Sequence, residues 1–224
     1  DAIRIHPSTG EEALKIEFGF VTELNIYEDI QNNAITGSME IVDTYNLIGN
    51  AQLQGNERLS FKLETPGRGA AGMVATVDAS EETGYPFFIY SITNRRPVSE
   101  TTMTYTIHFC SNELARNTRL RVNRTFDGDL GRMAVNILKD PNGMNTKKPV
   151  FFEPTRNQDT VLMPNLRPFD AVNLIAKRAL SGNANGAGYY FYETAKGFYF
   201  RSVENMLAYQ STFPRPQIRT LKYE

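Results

Sequence analysis

The sequence is short of the residue types that most enzymes use for chemistry. Its 224 residues include one cysteine, two histidines and no tryptophan. A single cysteine cannot form an internal disulfide, and it excludes a zinc site built from several cysteines. The sequence also has no apolar run near the roughly 20 residues of a membrane helix, and no charged-then-apolar signal segment at its start. We therefore expect no cofactor, no metal site and no membrane insertion by this chain.

The sequence also has no excess of positive or of negative charge. The chain has 24 Lys and Arg against 25 Asp and Glu, which gives a formal net charge of −1. Because nucleic-acid-binding domains are usually basic, we expect no recognition of a specific nucleic-acid sequence. Hydrophobic residues make up 41% and charged residues 22%, which is typical of a globular protein. The chain begins at Asp1 without a methionine, which indicates processing or a fragment of a longer protein.

The first half of the sequence has the pattern of β-strands. Residues 14–27 alternate between apolar and polar side chains, which predicts one half-buried strand. Residues 35–43 repeat the pattern after a polar turn, so we expect a hairpin. Three further strands are predicted at 58–64, 87–93 and 102–110. A short helical turn or bend is expected in 44–54, and a long surface loop in 65–86 with a short strand at Met73–Val77. Several short strands with short turns are typical of a barrel or sandwich.

The second half of the sequence has a mixed pattern. Asp127 is placed to cap a helix that runs to Lys139, because apolar residues recur between them at helical spacing. A second amphipathic helix is predicted over 168–180, and residues 189–202 predict an aromatic hairpin. The intervening residues 144–164 are expected to be irregular.

The change in pattern near residue 112 predicts two domains. Residues 1–112 are expected to form an antiparallel β-barrel. Residues 113–224 are expected to form a mixed α+β domain with two helices and the aromatic hairpin. The fold class is therefore mainly β, with an α+β second part.

His108 and Cys110 are the first candidates for catalysis, because they lie two apart on one predicted strand and share a face. A thiolate and an imidazole can act as nucleophile and base. However, no third residue that would orient the pair can be named, and the same face carries threonines. We therefore expect no enzymatic activity, and an interface strand on which Thr104, Thr106 and His108 face a partner.

Four arginines lie within nine residues, at Arg116, Arg119, Arg121 and Arg124. Guanidinium groups can bind phosphate through paired hydrogen bonds. Three nearby carboxylates, Glu113, Asp127 and Asp129, can partly neutralise them, and the chain as a whole is not basic. A salt-bridge cluster at a subunit interface or a domain junction is the preferred interpretation.

Two glycine-containing motifs lack the context that their chemistry needs. Residues 67–72, GRGAAG, have the glycine spacing of a dinucleotide-binding loop, but a β-like segment follows them instead of a helix start. The acidic turns at 127–129 and 140–143 lack the full spacing and the closing glutamate of a calcium loop. A surface loop and ordinary turns explain these segments.

The aromatic hairpin 189–200 supports an alternative function. Its tyrosines are Tyr189, Tyr190, Tyr192 and Tyr199. Aromatic rings can form a stacking platform, so a carbohydrate- or small-molecule-binding module is the alternative hypothesis. The same pattern is also typical of cross-strand packing against a helix.

Two stretches carry a combination of elements that points to a family. In residues 35–65 a strand ends at the acidic Asp43, a short helical crossing follows, and Gly55, Glu57 and Leu59 open the next strand. In residues 166–207 a helix, a loop and an aromatic hairpin follow one another. In order and spacing, these stretches resemble the baseplate hub proteins of contractile-tailed phages, a family with tube-type domains. The stretches cover about a third of the chain.

The resemblance implies a structural virion protein of the tail baseplate, assembled in the host cytoplasm. Hub proteins of this family form a trimeric ring that joins the tail tube to the central cell-puncturing spike. The implied partners are further copies of the chain, the tail tube protein, the spike protein and other baseplate proteins. Many family members carry two tube-type domains, whereas this sequence shows one. Either a second copy lies beyond residue 224, or the stoichiometry differs.

Overall fold

The structure, a computed structural model, describes residues 3–8, 12–50, 53–64, 76–83, 85–182 and 188–208. Within these ranges the chain is mainly β, with largely antiparallel sheets and a few short helices. The fold class predicted from the sequence is therefore confirmed. None of the helices in these ranges is both long enough and apolar enough to cross a membrane. The glycine motif at 67–72 lies outside the described residues.

The described part of the first half contains nine strands and one short helix. They are β1 (Ile3–His6), β2 (Leu14–Ile16), β3 (Val21–Tyr27), β4 (Thr36–Asp43), α1 (Leu47–Asn50), β5 (Arg58–Ser60), β6 (Lys62–Glu64), β7 (Thr76–Asp78), β8 (Phe87–Pro97) and β9 (Met103–Ser111). Seven of the strands form one antiparallel sheet in the order β2-β1-β5-β8-β9-β4-β3, and β6 pairs with β7. The predicted hairpin of β3 and β4 is present.

The core of the first half lies against one face of this sheet. Alternate residues of the central strands are fully buried, among them Met39 and Ile41 of β4 and Tyr105, Ile107 and Phe109 of β9. Gly37 allows the ring of Phe109 to pack closely, since a Cβ atom at this glycine would lie 2.4 Å from the ring. The period of two in the sequence thus places the apolar side chains in the core, as expected.

The predicted single strand over 14–27 is wrong, because a short 3-10 turn at Phe18–Phe20 interrupts it. The amide of Phe20 donates to the carbonyl of Glu17 at 3.0 Å and closes this turn. The turn sends β2 and β3 to opposite ends of the seven-stranded sheet. The predicted strand over 58–64 is likewise divided between two sheets, as β5 and β6. The apolar alternation continues through both breaks, so the pattern alone does not reveal them.

The described part of the second half combines four helices with five strands. They are α2 (Asn112–Arg119), β10 (Thr125–Asp129), α3 (Leu130–Lys139), β11 (Val150–Phe152), β12 (Gln158–Leu162), α4 (Pro168–Ala176), β13 (Tyr189–Thr194), β14 (Gly197–Ser202) and α5 (Val203–Ala208). Strand β10 pairs with β12, and β14 lies between β11 and β13. The predicted hairpin is formed by β13 and β14.

The aromatic hairpin packs against α4, as its pattern indicates. The ring of Phe169 lies 5.3 Å from that of Phe191 and 6.0 Å from that of Phe198. Gly197 begins β14 with a φ of +135°, a backbone conformation that residues other than glycine rarely adopt. A Cβ atom there would lie 2.4 Å from the carbonyl oxygen of Pro149, so only glycine fits this turn.

Three boundaries differ from the sequence predictions in the second half. Helix α3 is capped by Asp129, whose Oδ1 accepts from the amide of Arg132 at 2.7 Å, while Asp127 lies inside β10. Helix α4 ends at Ala176, so Leu180 lies beyond it and is 40% exposed. Residues 144–164 are not irregular throughout, because β11 and β12 form there. The sequence does not reveal β12, because the first residues of this strand are polar. The strand is held in place by its pairing with β10.

Two hydrophobic clusters divide near the predicted boundary at residue 112. One contains buried residues between Ile3 and Phe109, and the other contains residues between Phe126 and Phe200. Ala34, from the turn between β3 and β4, belongs to the second cluster. The assignment of 1–112 and 113–224 as two domains stays a prediction.

Candidate interaction surface

Thr104, Thr106 and His108 lie on the face of β9 that points away from the core, and each is half-buried. Their register partners extend this face across the neighbouring strands, with Ser38 and Glu40 on β4 and Ser91 and Thr93 on β8. We call these seven residues the threonine face. The period of two in the sequence predicted this placement of the three β9 residues.

Polar groups of the threonine face form hydrogen bonds within the sheet. Thr93 Oγ1 lies 2.8 Å from His108 Nε2, and Asn94 Nδ2 donates to Thr106 Oγ1 at 3.3 Å. Asn94 has a φ of +54° in an irregular part of the β8–β9 pairing. This irregularity in the pairing places the side-chain amide of Asn94 beside the threonine face. The face is thus polar and ordered before any contact with a partner.

Cys110 continues this side of β9 but is only 3% exposed. Burial, reinforced by the negative charge of Glu193, raises the pKa of the Cys110 thiol to about 12. A thiol with so high a pKa carries almost no thiolate at neutral pH, and the thiolate is the nucleophilic form. The Nε2 atom of the neighbouring His108 already contacts Thr93. The pair therefore lacks the activated sulfur that a cysteine nucleophile requires.

Helix α2 follows β9 directly and leaves a groove of about 410 Å³ at the end of the threonine face. The residues that line it are mostly apolar and include Phe88, Tyr90, Cys110, Leu114, Ala115 and Arg119. We call it the α2 groove. Tyr90 is 51% exposed at its opening. Arg119 is also exposed, and it has no ion-pair partner within the described residues.

The four arginines predicted as one cluster contact different groups. Arg116 donates to the carbonyl of Gly143 at 3.0 Å, and Arg121 donates to the carbonyls of Thr118 and Leu120. Arg124 forms an ion pair with Asp140 at 2.8 Å, and its guanidinium lies 4.6 Å from the centre of the Phe126 ring. The carboxylates expected to neutralise the arginines have other partners. Of the four, Arg119 is the one that lines the groove.

Glu113 belongs instead to a buried ion network that the sequence did not indicate. Lys148 Nζ lies 3.0 Å from Glu113 Oε2 and 2.5 Å from Glu193 Oε1. Thr146 Oγ1 donates to Glu113 Oε1 at 2.6 Å, and the amide of Ile35 donates to Glu193 Oε2 at 2.9 Å. Through the Ile35 amide, the network joins the residue before β4 to β13 of the aromatic hairpin. No local pattern signals it, because its members are far apart in sequence.

Burial and charge act in opposite directions within this network. Burial raises the pKa of the Glu193 carboxyl, although the neighbouring Lys148 acts against this shift. Burial alone would lower the pKa of Lys148, but the two carboxylates outweigh it and raise that pKa above its usual value. The lysine is therefore held in its charged form between two carboxylates, as a buried ion network requires.

The aromatic hairpin places its tyrosines in two environments. Tyr189 is buried in the core, whereas Tyr190, Tyr192 and Tyr199 are half-buried. The rings of Tyr192 and Tyr199 stack at 5.3 Å, and Phe151 stacks on Tyr199 at 4.9 Å. These rings contact one another, which is cross-strand packing of the expected kind. Sugar binding by this hairpin stays a prediction.

The described residues contain no group of three or more His, Cys, Asp and Glu side chains that could hold a metal ion. Asp129 instead caps a helix, and Asp140 stabilises a turn, since its Oδ1 accepts from the amide of Asn142.

No protein-family model matches the chain, and no curated protein matches it in sequence. Solved structures are similar to it. The prophage tail protein gp18 from Listeria monocytogenes matches 98% of this chain and 56% of its own, with 9% identity and a TM-score of 0.55. Tail proteins from Neisseria meningitidis and from a Shewanella oneidensis prophage match 89% of this chain, with 12% and 11% identity and TM-scores of 0.49. These matches cover 49% and 54% of the two proteins. The chain thus spans about half the length of these solved structures, and it shares the fold of the Listeria tail protein.

Proposed function

We propose that the chain is a structural component of a phage tail, and specifically a baseplate hub that joins the tail tube to the central spike. The observation that carries this proposal is the match of nearly the whole chain to the fold of the Listeria prophage tail protein. The two sequence stretches that resemble hub proteins add the finer assignment. The protein would be part of the virion, assembled in the host cytoplasm.

The surface chemistry supports a scaffold more than a catalyst. The raised pKa of Cys110 opposes nucleophilic catalysis by that residue. The threonine face offers an ordered polar surface, and β2 and β3 end the sheet with strands that can pair further. A near-neutral chain can also stack without strong self-repulsion. These features suit a homo-oligomeric ring, a trimer in the simplest case.

Reconstitution with the tail tube and spike proteins encoded alongside the chain tests the hub proposal. Electron microscopy is expected to show a ring of this protein at one end of the tube, with the spike on its far side. Compact monomers that bind neither partner, even at high concentration, would exclude a hub. The tail assignment itself is tested by mass spectrometry of purified particles, in which the chain is expected to be present.

Substitutions on the threonine face test its role in the ring. Thr106→Glu adds a charge at the centre of the face, beside Glu40 of the paired strand. A partner on this face would have to bury that charge, so we expect fewer rings per tube. Thr125→Glu is the matched control, because this threonine is exposed on β10 in the second half. Equal ring counts for both variants would show that the face is not a contact surface.

A further inference from the structure

We propose that the α2 groove receives the tip of the β8–β9 hairpin from a second copy of this chain. The tip is the turn at 98–102. This inference rests on the proposed function, because it names the contact that would build the ring. It starts from the apolar groove with Arg119 and from the exposed Val98 and Glu100. Neither Arg119 nor Glu100 has an ion-pair partner in the part of the chain that the structure describes.

The groove and the tip lie at opposite ends of the same two strands. Phe88 pairs with Cys110 at the groove end, whereas Pro97 pairs with Met103 below the tip. The two ends are nine residues apart along β8 and seven apart along β9, a distance of about 25 Å. Contacts between opposite ends of identical subunits are heterologous, and they close into a ring when the rotation between subunits permits.

The tip has an apolar and an acidic side chain in one tight turn. Val98 is 65% exposed, and Glu100 is exposed without an ion-pair partner among the described residues. The amides of Val98 and Ser99 both donate to the carbonyl of Thr102, at 2.9 and 3.2 Å. The turn is thus held in shape before it binds, which lowers the entropy cost of association.

The groove offers the complementary pair. Phe88, Cys110 and Leu114 supply apolar surface for the valine. Arg119 supplies a positive charge for the carboxylate of Glu100. A rim pair of opposite charge selects the partner and its orientation, while the apolar contact supplies most of the affinity. The two basic residues of β8 near the tip, Arg95 and Arg96, precede the turn and lie outside the inserted segment.

A charge exchange between Arg119 and Glu100 tests the docking. Sedimentation equilibrium of the full chain would compare the wild type, Arg119→Glu, Glu100→Arg and the double variant. Each single variant places like charges together, so we expect self-association to weaken about tenfold. The double variant restores the pair and is expected to recover wild-type association. Arg121→Glu is the matched control, since Arg121 donates to its own segment and does not line the groove.

Each other outcome overturns the docking. A wild-type chain that stays monomeric at all concentrations excludes it, and so do single variants that associate like the wild type. Failure of the double variant to recover places the contact elsewhere. If Arg119→Glu loses binding to the tube protein while self-association is unchanged, the groove serves an acidic segment of that partner.

The two proposals fail separately. Particles that contain the chain at the end of the tube, together with an ineffective charge exchange, would leave the tail role intact and remove the docking. Recovery by the double variant without any binding of tube or spike would keep the docking and remove the hub role. Circular dichroism of all variants checks that these exposed substitutions leave the fold unchanged.

Discussion

Lys148 is the centre of the buried ion network, in which Glu193 also accepts from the Ile35 amide of the first half. It lies buried between Glu113, at the start of α2, and Glu193, near the end of β13. The Oε2 atom of Glu113 lies 3.0 Å from the lysine but makes no well-directed hydrogen bond within the described residues. The lysine charge is therefore what compensates that oxygen. Buried ion networks of this kind are costly to break, because removal of one partner leaves an isolated charge.

Lys148→Met is expected to lower the free energy of unfolding by about 3–5 kcal/mol, since it leaves two carboxylates buried without a cation. Urea denaturation followed by circular dichroism measures the change. Lys147→Met is the matched control, because the neighbouring Lys147 is exposed and its Nζ contacts Asn145 of its own loop. That variant is expected to stay within about 0.5 kcal/mol of the wild type. Similar losses for both variants would contradict the role of the network.

The same network has a defined pH dependence. The two carboxylates raise the folded-state pKa of Lys148 above its usual value of 10.5. The stability that the lysine contributes is therefore fully present below that pH, and it is lost as the pH rises through the folded-state pKa. The difference between the wild type and Lys148→Met should accordingly shrink in strongly alkaline buffer.

At the scale of elements, the junction between β10 and α3 shows how one side chain can set a boundary. Asp129 ends the strand and caps the helix through its bond to the Arg132 amide. Its second oxygen accepts from the amide and the hydroxyl of Thr155, at 2.8 and 3.1 Å. One carboxylate therefore fixes the helix start and anchors the chain between β11 and β12.

Asp129→Ala is expected to cost about 1–2 kcal/mol of unfolding free energy, because it removes the cap and both bonds from Thr155. Asp127→Ala is the matched control. Asp127 has the same charge two residues earlier, but it accepts one bond, from the exposed Thr160 hydroxyl. We expect a loss of at most about 0.5 kcal/mol there. Urea denaturation of both variants gives the comparison, and a larger loss for the Asp127 variant would favour the cap predicted from sequence.

The elements that the sequence predicted well are those whose side-chain pattern matches their burial. The alternation in β9 placed Tyr105 in the core and Thr106 on the outer face, and Pro168 marked the start of α4. The cap was misplaced because Asp127 and Asp129 are equally suitable in sequence. Only the pairing of β10 with β12 decides between them, and β12 has too little apolar pattern to be recognised.

The candidate surface was predictable in part for the same reason. The period of two placed Thr104, Thr106 and His108 on one face, and that required no knowledge of the fold. The groove depends on where α2 crosses the sheet, and the ion network joins residues up to 158 positions apart. Such arrangements arise from tertiary packing, which a local pattern does not encode.

At the scale of the whole molecule, the turn between β3 and β4 connects the two hydrophobic clusters. Its residue Ala34 is buried in the cluster of the second half. The preceding residue, Asn33, donates to the carbonyl of Phe191 at 2.7 Å and exchanges bonds with the side chain of Asn173, at 3.2 and 2.8 Å. The backbone amide of Ile35, the residue after Ala34, donates to the side chain of Glu193. The first half therefore inserts one turn into the second half, and we expect the two clusters to unfold together.

Asn33→Ala tests this coupling, because it removes every side-chain bond from Asn33 while leaving both clusters apolar. Hydrogen exchange followed by mass spectrometry would report on β9 and on α4 separately. In the wild type we expect both elements to open with the same free energy, as in one cooperative unit. In the variant, α4 should open about 1–3 kcal/mol more easily than β9, since the carbonyl of Phe191 and the amide of Asn173 lose their partner. Asn32→Ala is the matched control, because the Asn32 amide bonds only within its own turn, to Asp29. If the two variants exchange alike, the side chain of Asn33 does not couple the two halves.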